Sequence, residues 1–463
     1  MSGLDELTRE ELIALVLKLH ETVEFQAKRI VELEAIVQSQ AERISGLEDE
    51  VSKLGGPKPK PAWVKANAAK TEKGPRKKRS QSFSRHNLPA TQVHYHVVEN
   101  CPDCRRKLSG GSVKWQHQVV EIPKVRIEVI DHMFVERRCG VCGKRWTVDA
   151  SAALSDVVVG KRSVGIGLMS LIAYLKTACR VPIGLIRQLL GSLYGVTISK
   201  GEIAELLHAV AEIGEVEYDA LLDKVRGSPV VHGDETGWRE NGKSGYLWSF
   251  STPRVRYFRY DSSRAGAVVK EVLGGKFVGV LVSDFYGGYN IYEGVKQRCW
   301  VHYIRDLKAL AEKHAAAGPW VDTVLAVYWR ARESVNKDLS EIDRCRLRQG
   351  FESELLVLAQ PYLKSKNAPQ RVLAQRIDRF LGELFVFVQH PEVPSENNAA
   401  ERAIRPAVMA RKASGGTRSP RGSKTSSVLR SLFETWALQG RNSLDACTEM
   451  IVESNRTSLL AAD

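Results

Sequence analysis

Between Arg226 and Phe285 the chain switches period in an order that restricts it more than any other stretch. VVHGDETGW, YLWSFST and RVRYFRYD read as strands, SRAGAVVKEVL as a helix, and FVGVLVSDFYGGY as a buried strand. Such a sheet-building block is a fraction of the 463 residues, whose 43% hydrophobic and 26% charged content suits a folded chain of about three domains. A multidomain α+β protein is expected. No apolar run reaches the ~18 residues of a membrane span, and the N-terminus MSGLDELTREEL is acidic where a signal peptide is basic. Neither a membrane partner nor secretion is expected, and the expected location is the cytoplasm.

Three strands, a helix and a fourth strand open a ribonuclease H-like fold, in which the first and fourth strands are neighbours. Asp234 ends the first and Asp284 the fourth. Each acid alone is more often a strand-end turn residue than a ligand. Two carboxylates at adjacent strand ends repel, however, and persist mainly where a cation neutralises them. A third carboxylate, from a helix against those strands, would complete an oxygen-rich site for two Mg²⁺ or Mn²⁺ ions about 3.5–4 Å apart. SENNAAERAIRP, Ser395 to Pro406, offers one, because Asn397, Asn398, Glu401 and Arg405 are spaced as neighbours on one helix face. An ordinary solvated helix, capped by Ser395 and ended by Pro406, has the same pattern. In the metal-centred alternative, Asn397, Asn398 and Arg405 orient Glu401 and meet phosphate oxygens.

The N-terminal half reads as a series of modules. From Leu12 to Leu54 apolar residues fall in heptads, with Val16, Val23, Ile30, Val37, Ile44 and Val51 at a and mostly leucine at d, a pattern that favours a parallel two-stranded coiled coil. Residues 1–54 hold 12 acidic against 6 basic side chains, so the excess behind the net charge of +14 lies beyond them and points to a polyanion partner, most simply DNA. The following segment, rich in Pro, Gly, Lys and Arg and including Lys77, Lys78 and Arg79, is a basic linker suited to phosphates, or merely a solvated one. CPDC (Cys101, Cys104) and CGVC (Cys139, Cys142) flank alternating runs, WQHQVVEI and VRIEVIDHMFVE, that read as a β-hairpin; together they predict a Cys₄ zinc ribbon with a structural Zn²⁺. Farther on, Ile183 to Leu190, a turn at Gly191 to Ile198, and a helix capped by Ser199 suggest a helix-turn-helix with Lys200 outward, or a plain helical hairpin.

The order of leucine zipper, Cys₄ ribbon, helical segment, HGDETGW, SDFYGGYN, CWVH and NNAAERAIRP closely resembles the transposases of the insertion sequence 66 family, over nearly the whole chain. The resemblance implies that Asp234, Asp284 and Glu401 are metal-binding catalytic acids of an Asp-Asp-Glu enzyme. Glu401, not Glu396, follows the Asn pair and precedes an arginine. The family's Cys-x-x-His is matched by Cys299 and His302; on the residues themselves a lone Cys-x-x-His is a weak metal half-site, and a core role beside Trp300 is the expectation. Implied partners are the element's terminal inverted repeats, target DNA, a second copy of the chain, and small accessory proteins of the same element, in a bacterial nucleoid. Arg402, and Arg411 with Lys412 in RKASGGTRSPRGSKTSS, are further candidates for phosphate contact.

The expected organisation is thus a coiled coil (1–54), basic linker (55–95), zinc ribbon (96–150), helical DNA-binding segment (151–226), ribonuclease H-like domain (227–415, with a helical insertion at about 305–390) and a C-terminal basic loop and helix (416–463). Residues 12–54 expressed alone should sediment as a helical dimer; a monomer or trimer would contradict the heptad reading.

Overall fold

The computed structural model describes residues 88–122 and 127–460, with isolated positions before residue 43. Lys77, Lys78, Arg79 and all but those isolated positions of the heptad segment lie outside the described residues. The chain divides into two compact units, Met1–Val120 and Glu121–Asp463. In the first, Cys101 N–H donates to Arg106 O and Arg105 N–H to Cys101 O, closing the CPDC turn. In the second, the short strands β1 (Arg137–Arg138) and β2 (Arg145–Trp146) pair antiparallel around CGVC, where Cys139 N–H bonds Lys144 O. The alternating runs do not form the expected strands: residues 113–122 and 127–136 carry no ladder. Alternation makes a strand only where one face has a core beneath it, and Val129 and Met133 are more than four-fifths exposed.

The second unit is built on one mixed sheet. Helices α1 (Ile166–Thr177), α2 (Ile183–Tyr194), α3 (Lys200–Ile213) and α4 (Glu215–Arg226) precede strands β3 (Val230–Glu240), β4 (Lys243–Ser251) and β5 (Arg256–Asp261); α5 (Ala267–Leu273) then crosses to β6 (Val280–Ser283) and β7 (Lys296–Arg298). The strand order is β5-β4-β3-β6-β7, with β3, β4 and β5 antiparallel and β6 parallel to both β3 and β7. The first and fourth strands of the block are therefore neighbours, as expected. Strand β3 does not stop at Asp234 but runs on to Glu240, because Asn241 (φ 48°) and Gly242 (φ 79°) supply the left-handed pair that a two-residue hairpin needs.

Beyond β7, α6 (Trp300–Lys313), α7 (Gly318–Ser334), α8 (Glu341–Leu363) and α9 (Arg371–Phe380) close around their own core of Trp300, Tyr303, Tyr328, Phe385 and Phe387. The chain then returns through α10 (Asn398–Ser414), which lays Ala403, Ile404 and Ala407 on Trp238, Leu247 and Phe258 of the sheet. Pro406 does not end this helix, and Ser395 does not cap it. Burial of Ile404, Ala407 and Ala410 on either side of the proline helps to carry the helix past the roughly 3 kcal/mol of an interior Pro, and Ser395 is instead buried, bonded to Tyr328. Helices α1–α4 share one core with the sheet and with α11 (Pro420–Leu438) and α12 (Ser443–Leu460), so the segment at 151–226 is not separate from the sheet that follows it. The hairpin of α2 and α3 forms, with Ser199 Oγ accepting from Glu202 N–H, but α2 runs past Leu190 to Tyr194 before Gly195 (φ 69°) ends it.

Helix α11 also resolves what covers the sheet's outer strand. The outward N–H groups of Arg256, Phe258 and Tyr260 on β5 donate to Thr435 Oγ1, Ser431 Oγ and Ser427 Oγ at 2.9, 2.8 and 3.0 Å. Four helical residues advance about 6.0 Å and two strand residues about 6.6 Å, so hydroxyls spaced by four keep step with an edge ladder. The edge is closed to other strands. Ser427→Ala or Ser431→Ala should each lower the unfolding free energy by about 1–3 kcal/mol in urea titrations, by stranding a buried N–H, while Ser426→Ala stays within about 0.5 kcal/mol; equal effects would contradict this capping.

Candidate active site

Register fixes the first two acids. His232 pairs with Val282 across the parallel β3–β6 ladder, and Asp234 and Asp284 each lie two residues farther on, so they come level where the strands part. Asp234 Oδ1 accepts its neighbour's N–H, from Glu235, at 2.9 Å; Asp284 Oδ1 accepts from Tyr286 N–H at 2.9 Å. Burial, then the charges of Glu235 and Asp284 and, more weakly, Glu401, push the Asp234 carboxyl up to about 8. Asp284 and Glu401 thus both lie within electrostatic reach of Asp234.

Helix α10 is locked to β3 by the residue at its start. Asn397 is buried; its Nδ2 donates to Gly233 O at 2.7 Å, and its Oδ1 pairs with His232 Nδ1 at 3.0 Å. With the amide nitrogen committed to Gly233, the imidazole proton sits on Nδ1; burial pulls His232 down to about 4, so the ring is neutral. Asn397 therefore does not meet phosphate, contrary to the sequence expectation: both ends of its amide are spent in tying helix to strand. Asn398 and Glu401 are half-buried in the first turn of the helix, and Arg402 and Arg405 are exposed along it.

Arg411 is likewise engaged, its Nη1 donating to Thr236 Oγ1 at 3.1 Å and to Gly237 O. Just past the helix, Thr417 N–H bonds Arg239 O at 2.8 Å; Gly416, at φ 109°, lies so close that a Cβ would fall 2.1 Å from the same carbonyl. The GGTRSPRGSK tract thus grips the β3–β4 hairpin, and two of its cations are paired, Arg421 with Glu205 and Glu212, and Lys424 with Glu215. Lys412 and Lys200 are exposed, the latter at the N-terminus of α3.

Two supports of the site carry no recognisable motif. Glu235 points to the sheet face opposite Asp234, its side chain 3% exposed, held by Arg264 at 2.6 Å and Tyr289 Oη at 2.6 Å; burial raises its carboxyl. Gly233 makes room for that tyrosine, since a Cβ there would fall 2.7 Å from its ring. Arg298 is fully buried and donates to Asp284 O (2.7 Å), Ser283 Oγ (3.2 Å), Asn290 Oδ1 (2.5 Å) and Glu383 (2.5 Å), which holds the second acid's backbone. The signals were faint: two successive acids in HGDETGW, and an arginine beginning the CWVH approach.

At the knuckles, N–H groups of Asp103 and Cys104 aimed at Cys101, and of Val141 and Cys142 aimed at Cys139, lower both thiols. Cys299, His302 and Glu401 bring one ligand atom each within 4.8 Å of one another. Among the described residues no helix is long and apolar enough to cross a membrane.

Residues 161–425 match the family described as Transposase IS66 family. An uncharacterized protein, y4qI, of Sinorhizobium fredii (strain NBRC 101917 / NGR234) is 26% identical over 297 residues, covering 54% of this chain and 52% of that protein. The chain thus spans about half the length of this curated relative.

The raised Asp234 carboxyl fixes a pH dependence. The folded, metal-free protein keeps a proton that the unfolded chain loses at the usual 3.8, so this contribution to stability is present below about pH 4 and is lost as pH rises through about 8. Urea midpoints in chelator should fall from pH 5 to pH 8.5 more steeply for the native chain than for Asp234→Asn; parallel declines would contradict the burial of this acid.

Proposed function

This chain belongs to the IS66 family of transposases, and on that premise we propose that it hydrolyses the 3′ ends of its insertion element and joins them to target DNA by two-metal phosphoryl transfer. The observation that carries the reading is the level register of Asp234 and Asp284 beside the helix of Glu401, where burial first, and then the charges of Glu235, Asp284 and Glu401, hold a proton on Asp234 to about 8. The strand order, with the parallel β3–β6 pair at its centre, supports a ribonuclease H-like assignment.

The donor set fits a hard divalent cation, because it consists of carboxylate oxygens, one of them raised by burial and by neighbouring acids that include the other two. Asp234, Asp284 and Glu401 would hold Mg²⁺ or Mn²⁺. The chemistry supplied there when the ions are bound is activation of the attacking hydroxyl and stabilisation of the leaving 3′ oxygen. Asn397 and Arg298 keep the helix and the second acid in place, and exposed Arg402 and Arg405, with Asn398 and Lys412, meet the DNA backbone. Lys200, at a helix N-terminus, and Lys77, Lys78 and Arg79 add sequence-independent phosphate contacts. Water opens the 3′ end, and the freed 3′-OH then attacks target DNA, with no covalent enzyme intermediate.

In this reading each CxxC knuckle, Cys101 with Cys104 and Cys139 with Cys142, offers two thiolates to structural zinc, which is supported by the N–H groups that favour thiolate at each knuckle. The coiled coil pairs two chains on the two element ends, with small accessory proteins of the element as further partners and the nucleoid as the site of action.

With Mg²⁺ and labelled terminal DNA, Asp234→Ala, Asp284→Ala and Glu401→Ala should each cut cleavage and joining by about a thousandfold or more, since the centre acts as a unit, and should leave DNA binding within about threefold. Glu396→Ala should retain most activity. Loss with Glu396→Ala and survival with Glu401→Ala would overturn the assignment of the third acid.

A further inference from the structure

The motif CWVH is not used by the acids' proposed chemistry, yet it lies against the third of them. Cys299 is the N-cap residue of α6, and its thiol is fully buried. Its backbone is anchored at both sides: Cys299 N–H donates to Ser283 O at 2.8 Å, one residue before Asp284, and Trp300 N–H to Ser395 O at 2.9 Å. The sulfur accepts the N–H of Asn397 at 3.1 Å. His302 follows in the first turn of α6, and Glu401 stands in the first turn of α10, so two helix starts face each other.

The contact between those two side chains is unusual. His302 Nδ1 and Glu401 Oε1 lie 3.7 Å apart, beyond a direct hydrogen bond, and both atoms are closed to solvent and have no hydrogen-bond partner. Buried polar atoms of this kind are expected to be satisfied, by a protein group, a water or an ion. Cys299 Sγ completes a triangle with them, all three ligand atoms lying within 4.8 Å of one another. A tetrahedral zinc, with Zn–S about 2.3 Å and Zn–N about 2.0–2.1 Å, spaces its ligand atoms about 3.4–3.6 Å apart. The longest side of the triangle needs to contract by at most about 1.4 Å to reach that spacing.

We propose that Cys299 Sγ, His302 Nδ1 and Glu401 Oε1 form a second kind of metal site, for a borderline divalent cation such as Zn²⁺. Its donors differ from those of the acidic centre: thiolate and imidazole disfavour Mg²⁺ and favour zinc, while Asp234 and Asp284 offer only hard oxygen. Three protein ligands leave one position open to water or a phosphate oxygen. Burial raises the Cys299 thiol, unlike those of the CxxC knuckles, and N–H groups directed at the sulfur, Asn397 N–H first, offset part of that cost. The site is shared with the acidic centre through Glu401: one carboxylate oxygen faces the cysteine and histidine, which leaves the other for the centre. Binding itself does not depend on transposition; only the meaning of shared Glu401 rests on the function proposed above.

Full-length protein is equilibrated with Zn²⁺, desalted, and measured for zinc by atomic emission, beside Cys299→Ser and His302→Asn. Each variant should carry about one zinc fewer per chain than the native protein. With Co²⁺ in place of Zn²⁺, Cys299→Ser should lose one share of the thiolate-to-cobalt charge-transfer absorption, whereas His302→Asn should change the ligand-field bands. The half-exposed His302 variant carries the test should the buried cysteine variant fail to fold. Zinc content equal in the native protein and the folded variants would overturn the site and leave Cys299 as a packed helix cap.

Discussion

The side-chain amide of Asn397 is the joint on which the candidate site depends. Its two ends reach Gly233 and His232 on the central strand, and its backbone N–H reaches Cys299 at the start of another helix. One buried residue thus connects the sheet, the helix of Glu401 and the helical insertion. Breaking such a bond inside the protein strands a carbonyl and an imidazole and costs about 1–3 kcal/mol for each group. Position, more than charge, is what this asparagine contributes.

Around that joint the molecule tolerates considerable electrostatic cost. Asp234 is part-buried beside Glu235, Asp284 and Glu401, and among the described residues no cation is bonded to it. The nearby cations are directed elsewhere. Arg264 neutralises Glu235 on the opposite face of the sheet, and Arg298 binds Glu383 and the backbone of Asp284. The acids are therefore held without being neutralised, the arrangement expected where neutralisation comes from a bound ion. A fold maximising its own stability would place an arginine there.

Much of this was legible in the sequence. The strand, strand, strand, helix, strand order could be read because each run has a clean period and the turns between them are short. The adjacency of Asp234 and Asp284 followed from that order. What escaped reading depended on partners distant in sequence. Pro406 looked like a helix stop, but the sheet beneath Ile404 and Ala407 carries the helix past it. Asn397 looked like a phosphate ligand because spacing cannot tell an inward face from an outward one. Ser427, Ser431 and Thr435 looked like a polar tract, yet they cap an edge strand more than 160 residues away. WQHQVVEI and VRIEVIDHMFVE alternate as strands do, but alternation alone does not supply a core to lie on. Glu235 and Arg264 are an ordinary acid and base until the fold pairs them and brings Tyr289 to the other carboxylate oxygen.

The central claim is that Asp234, Asp284 and Glu401 make one centre for hard divalent cations. Its most direct test is a crystal structure of the protein with Mn²⁺, with the metal located by anomalous scattering. An anomalous peak is expected between the carboxylates of Asp234 and Asp284, with a Glu401 oxygen in the same coordination sphere. Manganese bound at Glu235 or Glu396 instead, or an empty space between Asp234 and Asp284 at saturating Mn²⁺, would contradict it.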